Sequence, residues 1–375
     1  IRPPPHRGNA ILCHKQCGDV VWRQQIRSTF SVHDGKTEEE KDGDEMKGKG
    51  KRDVNDDEEG DELMGRGEVI KLILSSHNDG MDALEHGRFT HALAIKNAVV
   101  HDIGVSNALI TMYGKYGHIH DARIIFEKAS GHTVISWTAM IHAYSHHGHH
   151  SEALRLFREM ESQETVKPNE VTFATILRSC AAIPALADGR SIHLSTVENG
   201  FEYDVFVGTS LIDMYGKCGS LDEARRTFDG LEDRDVISWT CLISGNAENG
   251  LIEEANNCLS EMQQKGIPIT ITTWNAVIAA FAEVGLGEEA LKCFKKLRLE
   301  MGVPPDEVTY TCTLKACCRI GAIDSGRDIH AEVVNVGFET DPFVTSSLID
   351  MYAKFGTLVE AQEVFSKVPV KDPVL

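Results

Sequence analysis

Along most of this chain the apolar residues recur at helical spacing, in two short runs separated by a turn. The segment 205–235 has one apolar face over Val205–Tyr215 and a second over Leu221–Leu231. Ser220 and Ser151 follow the turn and suit the N-cap of the second helix. Glycines mark the turn in related segments: Gly148, Gly219, Gly250 and Gly356. The pattern predicts a helix–turn–helix hairpin as the structural unit.

The hairpin is repeated. The phrase LIDMYGKCGSLDEAR at Leu211–Arg225 has counterparts LITMYGKYGHIHDAR at Leu109–Arg123 and LIDMYAKFGTLVEAQ at Leu348–Gln362. The starts lie 102 residues apart (109 to 211) and 137 residues apart (211 to 348), so the second interval holds one additional unit of 35 residues. The phrases GRFTH, GRSIH and GRDIH are likewise 102 and 137 residues apart. Self-similarity of this kind is typical of repeat architectures, in which each hairpin buries its apolar faces against its neighbours.

We therefore expect an all-α, right-handed superhelical solenoid with a disordered N-terminal tail. The three copies of the long phrase should form the same helix–turn–helix segment, and strand pairing would contradict this fold. Residues 373–375 resemble the start of a further repeat. The nine predicted repeats span 68–372 and are 68–102, 103–133, 134–169, 170–204, 205–235, 236–270, 271–306, 307–341 and 342–372.

The first 33 residues differ in composition from the rest. Five basic residues stand against a single acidic residue, Asp19, among prolines and small polar residues. Residues 1–33 resemble an organelle transit peptide, and Arg27–Ser31 resembles a mitochondrial processing site. An unstructured tail is the alternative interpretation.

Residues 34–67 form a charged segment. Over 34–66, fourteen acidic residues stand against seven basic ones, and apolar residues are nearly absent before Leu63. Such a segment buries too little apolar surface to offset the entropy of folding. We expect an acidic disordered linker, and slow amide hydrogen exchange there would contradict this prediction.

The net charge of −19 bears on the partners. The linker carries only part of it, so the repeats are acidic too, whereas nucleic-acid-binding proteins usually present a strongly basic surface. No run of about 18 apolar residues occurs, which predicts no membrane span. The ten cysteines lack the spacing of a disulfide framework. Cys180 and Cys317 share one first-helix position, so we expect reduced, buried thiols inside a cell.

Three runs could suggest metal chemistry. CHKQC at 13–17 is followed by no second ligand pair at zinc spacing. The histidines of 146–150 surround a turn, where solvated side chains are expected. HAE at 330–332 matches half of a zinc deaminase signature, but no C-x-x-C follows, and its histidine shares a repeat position with His91 and His193. The sequence predicts no metal, no cofactor and no catalytic site.

The unit lengths and phrases together identify a family. Units of 35, 31 and 35–36 residues carrying GRxxH, LIDMYGKCGSLxxAR and VISWTxxI resemble the pentatricopeptide repeat family of plants, in its PLS subclass. The resemblance covers about four-fifths of the chain. On this resemblance the L units are 68–102, 170–204 and 307–341, the S units are 103–133, 205–235 and 342–372, and the P units are 134–169, 236–270 and 271–306.

The resemblance implies a function. Proteins of this family bind single-stranded RNA in organelles and support RNA processing, and recognition of C-to-U editing sites is the expected role here, without catalysis by this chain. The mitochondrion is favoured over the chloroplast. A deaminase or other editing factors would be supplied in trans, and neither DNA nor a membrane is expected as a partner.

The resemblance also implies which residues contact RNA. Family members read one base per repeat through the fifth and last residues of a unit, by hydrogen bonds to the Watson–Crick edge. Apolar second residues would pack against each base: Ile135, Phe206, Ile237 and Phe343. The fifth residues of the S and P units are Asn107, Thr138, Thr209, Thr240, Asn275 and Ser346, and the last residues are Thr133, Asn169, Asp235, Thr270, Asp306 and Asp372. The alternative interpretation is that the fifth residues only cap or bridge adjacent hairpins.

The family's code predicts the target. Gly104 and Thr272 depart from the apolar second residue, and Leu72, Ala174 and Thr311 are fifth residues of L units, which are expected to be unread spacers. With the RNA parallel to the array, the expected target is 5′-Y-A-n-G-n-U-n-G-3′. The pairs are Asn107–Thr133 for the pyrimidine, Thr138–Asn169 for adenine, Thr209–Asp235 for guanine, Asn275–Asp306 for uracil and Ser346–Asp372 for the last guanine, while Thr240–Thr270 is unread.

Two other classes of protein share features with this sequence. A tetratricopeptide scaffold for protein partners would share the phrase Ala224-x3-Phe228 and suits acidic charge, but its W-x2-L-G-x2-Y pattern and uniform 34-residue spacing are absent. An editing enzyme would need a DYW deaminase domain, and whether one follows in a longer protein stays open.

Overall fold

The computed structural model describes residues 65–75, 81–163, 165–299, 302 and 304–367. Within these ranges the secondary structure consists of eighteen α-helices and no strand. The predicted all-α fold class is confirmed. The predicted transit segment, nearly all of the acidic linker and residues 368–375 lie outside the described residues.

The described helices form nine hairpins, each with an odd-numbered first helix and an even-numbered second helix. In chain order they are α1 (Arg66–Ser75), α2 (Met81–Lys96), α3 (Ile103–Lys115), α4 (Ile119–Lys128), α5 (Val134–His146), α6 (His150–Glu161), α7 (Glu170–Ala182), α8 (Leu186–Glu198), α9 (Val205–Lys217), α10 (Leu221–Gly230), α11 (Val236–Glu248), α12 (Ile252–Gln264), α13 (Ile271–Glu283), α14 (Gly287–Leu299), α15 (Glu307–Ile320), α16 (Ile323–Val336), α17 (Pro342–Lys354) and α18 (Leu358–Lys367).

The first helices from α3 onwards start on a polar side chain that caps them. Asp306 Oδ1, for example, accepts the backbone N–H of Thr309 at 2.8 Å, the third residue of α15. Such caps satisfy donors that a helix end leaves unpaired. The last residue of one predicted unit is thus the N-cap of the next first helix. The eight capping residues are Asp102, Thr133, Asn169, Asp204, Asp235, Thr270, Asp306 and Asp341.

The second helices start differently, and the predicted serine caps are wrong. Helix α6 begins at His150, so Ser151 lies inside its first turn, and Ser220 makes no cap hydrogen bond to α10. The hydroxyl of Ser220 donates to Glu223 instead. The turn is closed by the backbone, because the N–H of Ser220 donates to the carbonyl oxygen of Tyr215 at 2.9 Å. The glycines before these helices have φ between +73° and +81°, which glycine adopts without strain: Gly148, Gly219, Gly250 and Gly356.

The hairpins stack within two compact units of the described residues, 65–147 and 148–367. In the second unit the first helices α7 to α17 pack one against the next, and α6, α8, α10, α14 and α16 lie against the following first helix. In the first unit α1, α3 and α5 pack in the same order. Trp239 of α11 is fully buried, and the Phe228 ring of α10 meets it edge-on at a centroid distance of 4.6 Å. The apolar core therefore lies between successive hairpins, as stacking requires.

The two repeated phrases recur at the same spacing because residues of one contact residues of the other in the structure. Nδ1 of His193 and the hydroxyl of Tyr215 are hydrogen-bonded at 2.8 Å, which joins α8 to α9. One turn earlier on α8, Gly189 lies so close to Met214 that a Cβ there would overlap the thioether. The same pairs recur as His91–Tyr113 (3.0 Å), His330–Tyr352 (2.8 Å), Gly87–Met112 and Gly326–Met351. His330 is therefore a packing residue, as its repeat position predicts.

These histidines make stability depend on pH. Burial lowers the pKa of His91, His193 and His330 below the ordinary value of 6.5, and the carboxylates of Glu223 and Glu202 oppose this only in part at His193. The unfolded chain then binds more protons than the folded chain between the two pKa values, so stability is lost as pH falls below 6.5. We expect the thermal midpoint to drop between about pH 7.5 and about pH 5.5.

The measurement is thermal unfolding followed by circular dichroism at both pH values. His193→Gln, which keeps a hydrogen-bonding group but does not titrate, should show a smaller drop than the wild type. His120→Gln, at an exposed position of α4, is the matched control and should leave the drop unchanged. Equal drops in all three proteins would contradict the assignment to the buried histidines.

Candidate nucleic-acid interface

The residues predicted to read bases lie at two recurring places. The fifth residues are on the first helices, and the last residues of the units are the N-caps of the following first helices. Stacking brings a fifth residue and the next N-cap together, because neighbouring first helices pack side by side. Within a compact unit this brings two of the predicted pairs into direct hydrogen-bond contact, Asn275–Asp306 and Asn107–Thr133.

Asn275 and Asp306 form the most complete pair. Asn275 Nδ2 donates to Asp306 Oδ1 at 2.9 Å and to Oδ2 at 3.2 Å. The hydroxyl of Thr309 lies 2.6 Å from Asn275 Oδ1 and 2.7 Å from Asp306 Oδ1, and the amide turns its Nδ2 towards the carboxylate because a carboxylate only accepts hydrogen bonds. Asn275 is only 4% exposed. The amide is thus held in one orientation beside an acceptor whose second oxygen is not used for capping.

Asn107 and Thr133 repeat this arrangement in the first compact unit. Asn107 Nδ2 donates to Thr133 Oγ1 at 3.4 Å, a long bond. Thr133 also forms a capping box with Ser136, whose hydroxyl accepts the N–H of Thr133 at 2.8 Å. The fifth residue therefore bridges to the next hairpin, as the alternative interpretation proposed, and it does so through the residue predicted to share base reading with it.

The pair Thr240–Thr270 is not in direct contact. The hydroxyl of Thr273 lies between them, 2.9 Å from Thr240 Oγ1 and 3.2 Å from Thr270 Oγ1. Sequence reasoning did not single out Thr273. Its signal was a hydroxyl as third residue of several units, namely Ser136, Thr172, Ser238, Thr273 and Thr309.

Thr209 and Asp235 differ from the other pairs. Asp235 Oδ1 accepts the N–H of Ser238 at 2.8 Å, and no hydrogen bond joins Asp235 to Thr209. The Thr209 hydroxyl is buried and has no hydrogen-bond partner in the described part of the chain. Buried hydroxyls without partners are uncommon and costly, so each calls for an explanation.

Three further predicted readers lie on a first helix or at its N-cap. Thr138 is buried on α5 of the first compact unit, and Asn169 caps α7 of the second through a 3.0 Å bond from the N–H of Thr172. Ser346 is half-buried on α17, and its predicted partner Asp372 lies outside the described residues.

The four residues predicted to pack on bases vary in exposure. Phe343 and Ile237 expose 60% and 50% of their surface, whereas Ile135 and Phe206 are half-buried. Large apolar side chains with this much exposure can cover a further flat, apolar surface such as the face of a base.

The acidic charge is unevenly distributed. The described first helices carry eight basic and seven acidic residues, and the described second helices carry fifteen basic and twenty-two acidic ones. The acidity of these helices thus belongs to the second helices. Ion pairs join successive second helices there: Arg158–Asp188, Arg190–Glu223 (2.8 Å), Arg225–Glu261 (3.2 Å), Arg298–Glu332 and Arg327–Glu360 (3.1 Å). The described first helices are nearly neutral in themselves, and their N-caps add five aspartates beside the predicted readers: Asp102, Asp204, Asp235, Asp306 and Asp341.

Metal and thiol chemistry have little support in the described residues. No cluster of three or more His, Cys, Asp or Glu side chains in these ranges could hold a metal ion, and the run at 13–17 lies outside them. Cys180 and Cys317 are fully buried, as predicted, and burial raises the pKa of both thiols to about 12. Thiols with raised pKa values are poor nucleophiles. None of the helices in the described ranges has the length and apolar character needed to cross a membrane.

Comparison with known proteins identifies a repeat family and several similar proteins. The model of the PPR repeat family matches residues 132–182 and 269–319, and the PPR repeat model matches residues 105–131, 209–236, 237–267 and 343–372. Among similar proteins of Arabidopsis thaliana, a putative mitochondrial pentatricopeptide repeat-containing protein is 36% identical and a chloroplastic one is 33% identical. Each alignment covers 78% of this chain but only 41% of the relative, so the chain spans about two fifths of their length.

The fold has solved counterparts. The crystal structure of the pentatricopeptide repeat protein PPR10 from maize is similar with a TM-score of 0.59 and 20% identity, over 80% of this chain and 43% of that one. A crystal structure of PPR10 in complex with an 18-nt psaJ RNA element matches with the same TM-score and identity, over 44% of that chain. At this identity the likeness concerns the fold.

Proposed function

Because the chain belongs to the pentatricopeptide repeat family, we propose that it binds single-stranded RNA along its first helices, one base to each S and P unit. The observation that carries this proposal is the contact between Asn275 and Asp306, repeated as Asn107 and Thr133. The amide of a fifth residue meets the next capping residue at the same place in these two hairpins, and Thr273 bridges the corresponding pair Thr240–Thr270. A periodic row of donors and acceptors suits a ligand that is itself periodic, with one polar edge per subunit.

Base reading would proceed by exchange of hydrogen bonds. The Asn275 amide both donates and accepts, and so does the Watson–Crick edge of uracil, which presents one N–H between two carbonyl oxygens. A base would replace contacts that the pair now makes within the protein, and exposed side chains such as Phe343 and Ile237 would cover its faces. A base that leaves the half-buried carboxylate of Asp306 unpaired would bind less well, because a polar group that loses both water and its partner costs free energy.

The finer parts of the proposal rest on the family. The mitochondrial and chloroplastic relatives support an organellar home, and the predicted processing site favours the mitochondrion. The alternation of 35-, 31- and 36-residue units supports the PLS subclass, and with it the recognition of C-to-U editing sites in an organellar transcript. In this proposal a deaminase or other editing factors act in trans, and the chain itself is not an enzyme.

One prediction tests RNA binding directly. In gel-shift titrations the chain should bind 5′-Y-A-n-G-n-U-n-G-3′ about 100-fold or more tightly than a scrambled RNA of the same composition, because several mismatched bases each cost about 1–3 kcal/mol. Since the first helices are nearly neutral, affinity should fall less steeply with salt than for a protein with a basic groove.

The scaffold alternative has one observation in its favour. Ile95, Val197 and Val334 occupy the same position of the second helices in the three L units, and all are exposed. Apolar residues at a recurring exposed position suit a protein partner. Equal affinity for matched and scrambled RNA, or no RNA binding at low salt, would favour that alternative over the proposed function.

A further inference from the structure

The third residue of a unit lies in the first turn of its first helix. In the eight described first helices from α3 to α17, its type follows the type of the preceding unit: threonine after a P unit, serine after an S unit and valine after an L unit. The threonines are Thr172, Thr273 and Thr309, the serines are Ser136 and Ser238, and the valines are Val105, Val207 and Val344. Leu375, the third residue after the S unit 342–372, departs from this pattern and lies outside the described residues.

The two serines bond only to their own N-cap residues. The hydroxyl of Ser136 donates to the carbonyl oxygen of Thr133 at 2.9 Å, and the hydroxyl of Ser238 donates to the carbonyl oxygen of Asp235 at 2.9 Å. Within the described ranges, neither serine is hydrogen-bonded to the fifth residue of the preceding unit. The serines therefore serve their own helix ends.

The two threonines that share a compact unit with the preceding fifth residue both reach it. The Thr309 hydroxyl lies 2.6 Å from Asn275 Oδ1, which can only accept, so the hydroxyl is the donor. The Thr273 hydroxyl lies 2.9 Å from Thr240 Oγ1. Since the Thr240 hydroxyl donates to the carbonyl oxygen of Val236 at 2.7 Å, Thr273 is the donor here as well. Both threonines are fully buried, so water does not compete for these bonds.

Thr309 contacts both members of the pair on which the proposed function rests. Its hydroxyl lies 2.7 Å from Asp306 Oδ1 as well as 2.6 Å from Asn275 Oδ1. Asn275 Nδ2 donates to the same carboxylate at 2.9 Å. The amide is thus held through its oxygen and its nitrogen at once, and the second proton of Nδ2 is the group that it offers to a ligand.

We infer that the threonine after a P unit is a positioning residue for base reading, with Thr309 fixing the orientation of the Asn275 amide. An amide held in this way offers a donor, which the carbonyl oxygens of uracil accept. With no hydroxyl at residue 309 the amide would be held through Nδ2 alone and could turn to offer its oxygen, so bases with a donor at this place would bind too. This inference rests on the proposed function and adds to each P unit a residue from the following helix.

The test is Thr309→Val, which keeps the branched shape and removes the hydroxyl. Valine already occupies this position in α3, α9 and α17, so the fold accommodates it. Gel-shift titrations use the full chain, 5′-Y-A-n-G-n-U-n-G-3′ and its variants at the fourth and sixth nucleotides. We expect the preference for uracil at the sixth nucleotide to fall about fivefold, the effect of one hydrogen bond. The preference for guanine at the fourth nucleotide should not change.

Ser238→Ala is the matched control. It removes a hydroxyl from the same position of α11, where the serine bonds only to its own N-cap residue. The variant should keep the preferences of the wild type at both nucleotides. Circular dichroism at 222 nm checks that both variants retain the helix content of the wild type.

The outcomes separate the two proposals. If Thr309→Val keeps the uracil preference, or weakens the preferences at the fourth and sixth nucleotides alike, the inference is wrong and the proposed function stands. The same holds if the wild type prefers guanine at the fourth nucleotide but no base at the sixth. If the wild type prefers no base at either nucleotide, both proposals are contradicted.

Discussion

Replacing Gly287 by alanine is expected to lower the stability of the array by about 1–3 kcal/mol, the usual cost of overpacking a buried site. Gly287 is buried at the start of α14, against the C-terminal end of α15. A Cβ there would lie 2.6 Å from Ile320 Cγ2 and 2.8 Å from the carbonyl oxygen of Ala316. A backbone oxygen cannot move aside as a flexible side chain can, so the two helices must separate. The gain in helix propensity from alanine, about 1 kcal/mol at most, offsets only part of this cost.

The measurement is urea unfolding followed by circular dichroism at 222 nm. Gly230→Ala is the matched control, because Gly230 ends α10, has no left-handed φ, and its Cβ would meet nothing within 4 Å. That variant should be as stable as the wild type or more stable by up to about 1 kcal/mol. Unfolding of Gly287→Ala at the same urea concentration as Gly230→Ala would contradict close packing of α14 on α15.

Asn275→Thr is expected to change the preferred sixth base of the RNA from uracil to guanine. The substitution exchanges an amide for a hydroxyl and leaves Asp306 in place, capping Thr309. In the structure Asn275 Nδ2 donates to both oxygens of Asp306, so its removal frees the carboxylate to accept the N1–H and N2 amino donors of guanine. The variant then has the Thr–Asp composition that the L unit 307–341 carries naturally. A change of about 1–3 kcal/mol at one base is an affinity change of about 5- to 150-fold.

Gel-shift titrations of both proteins with U and G at the sixth nucleotide measure this change. Asn257→Thr, the same substitution at an exposed position of the second helix α12, should keep the uracil preference. A uracil preference retained by Asn275→Thr would show that Asn275 only bridges hairpins. Loss of affinity for every RNA, with normal helix content, would mean that the amide supports the interface without selecting a base.

The repeat unit and its period can be recognised in the sequence because a contact between two hairpins constrains the residue types on both of them. Gly189 must be small because Met214 lies against it, and His193 must reach Tyr215. The two phrases that contain these residues, on neighbouring hairpins, therefore recur at the same spacing along the chain. Glycine at a turn with positive φ is likewise a local requirement that a sequence displays. For these reasons the helices, the turns and the packing role of His330 could be predicted.

Other features depend on which side chains meet across hairpins. Thr273 belongs to the same local pattern as Ser238, yet only the stacked structure shows it bridging Thr240 and Thr270. The net charge gives a sum over the chain and does not show that the first helices are nearly neutral. The pairs Thr138–Asn169 and Ser346–Asp372 stay predictions, since their members lie in different compact units or outside the described residues.

Helix capping limits how such an array could be reprogrammed. Each described residue that is assigned to the last position of a unit also supplies the N-cap of the next first helix, as Asp306 does for α15. Only Asp, Asn, Ser and Thr, with Gly as a weaker choice, cap well, and an apolar replacement costs about 1 kcal/mol at each hairpin. The residue types that suit the last position are therefore limited by helix capping, whichever nucleotide is bound. Substitutions that change the target have few compatible residue types at the last position, so the fifth residue is the position that can be varied more widely.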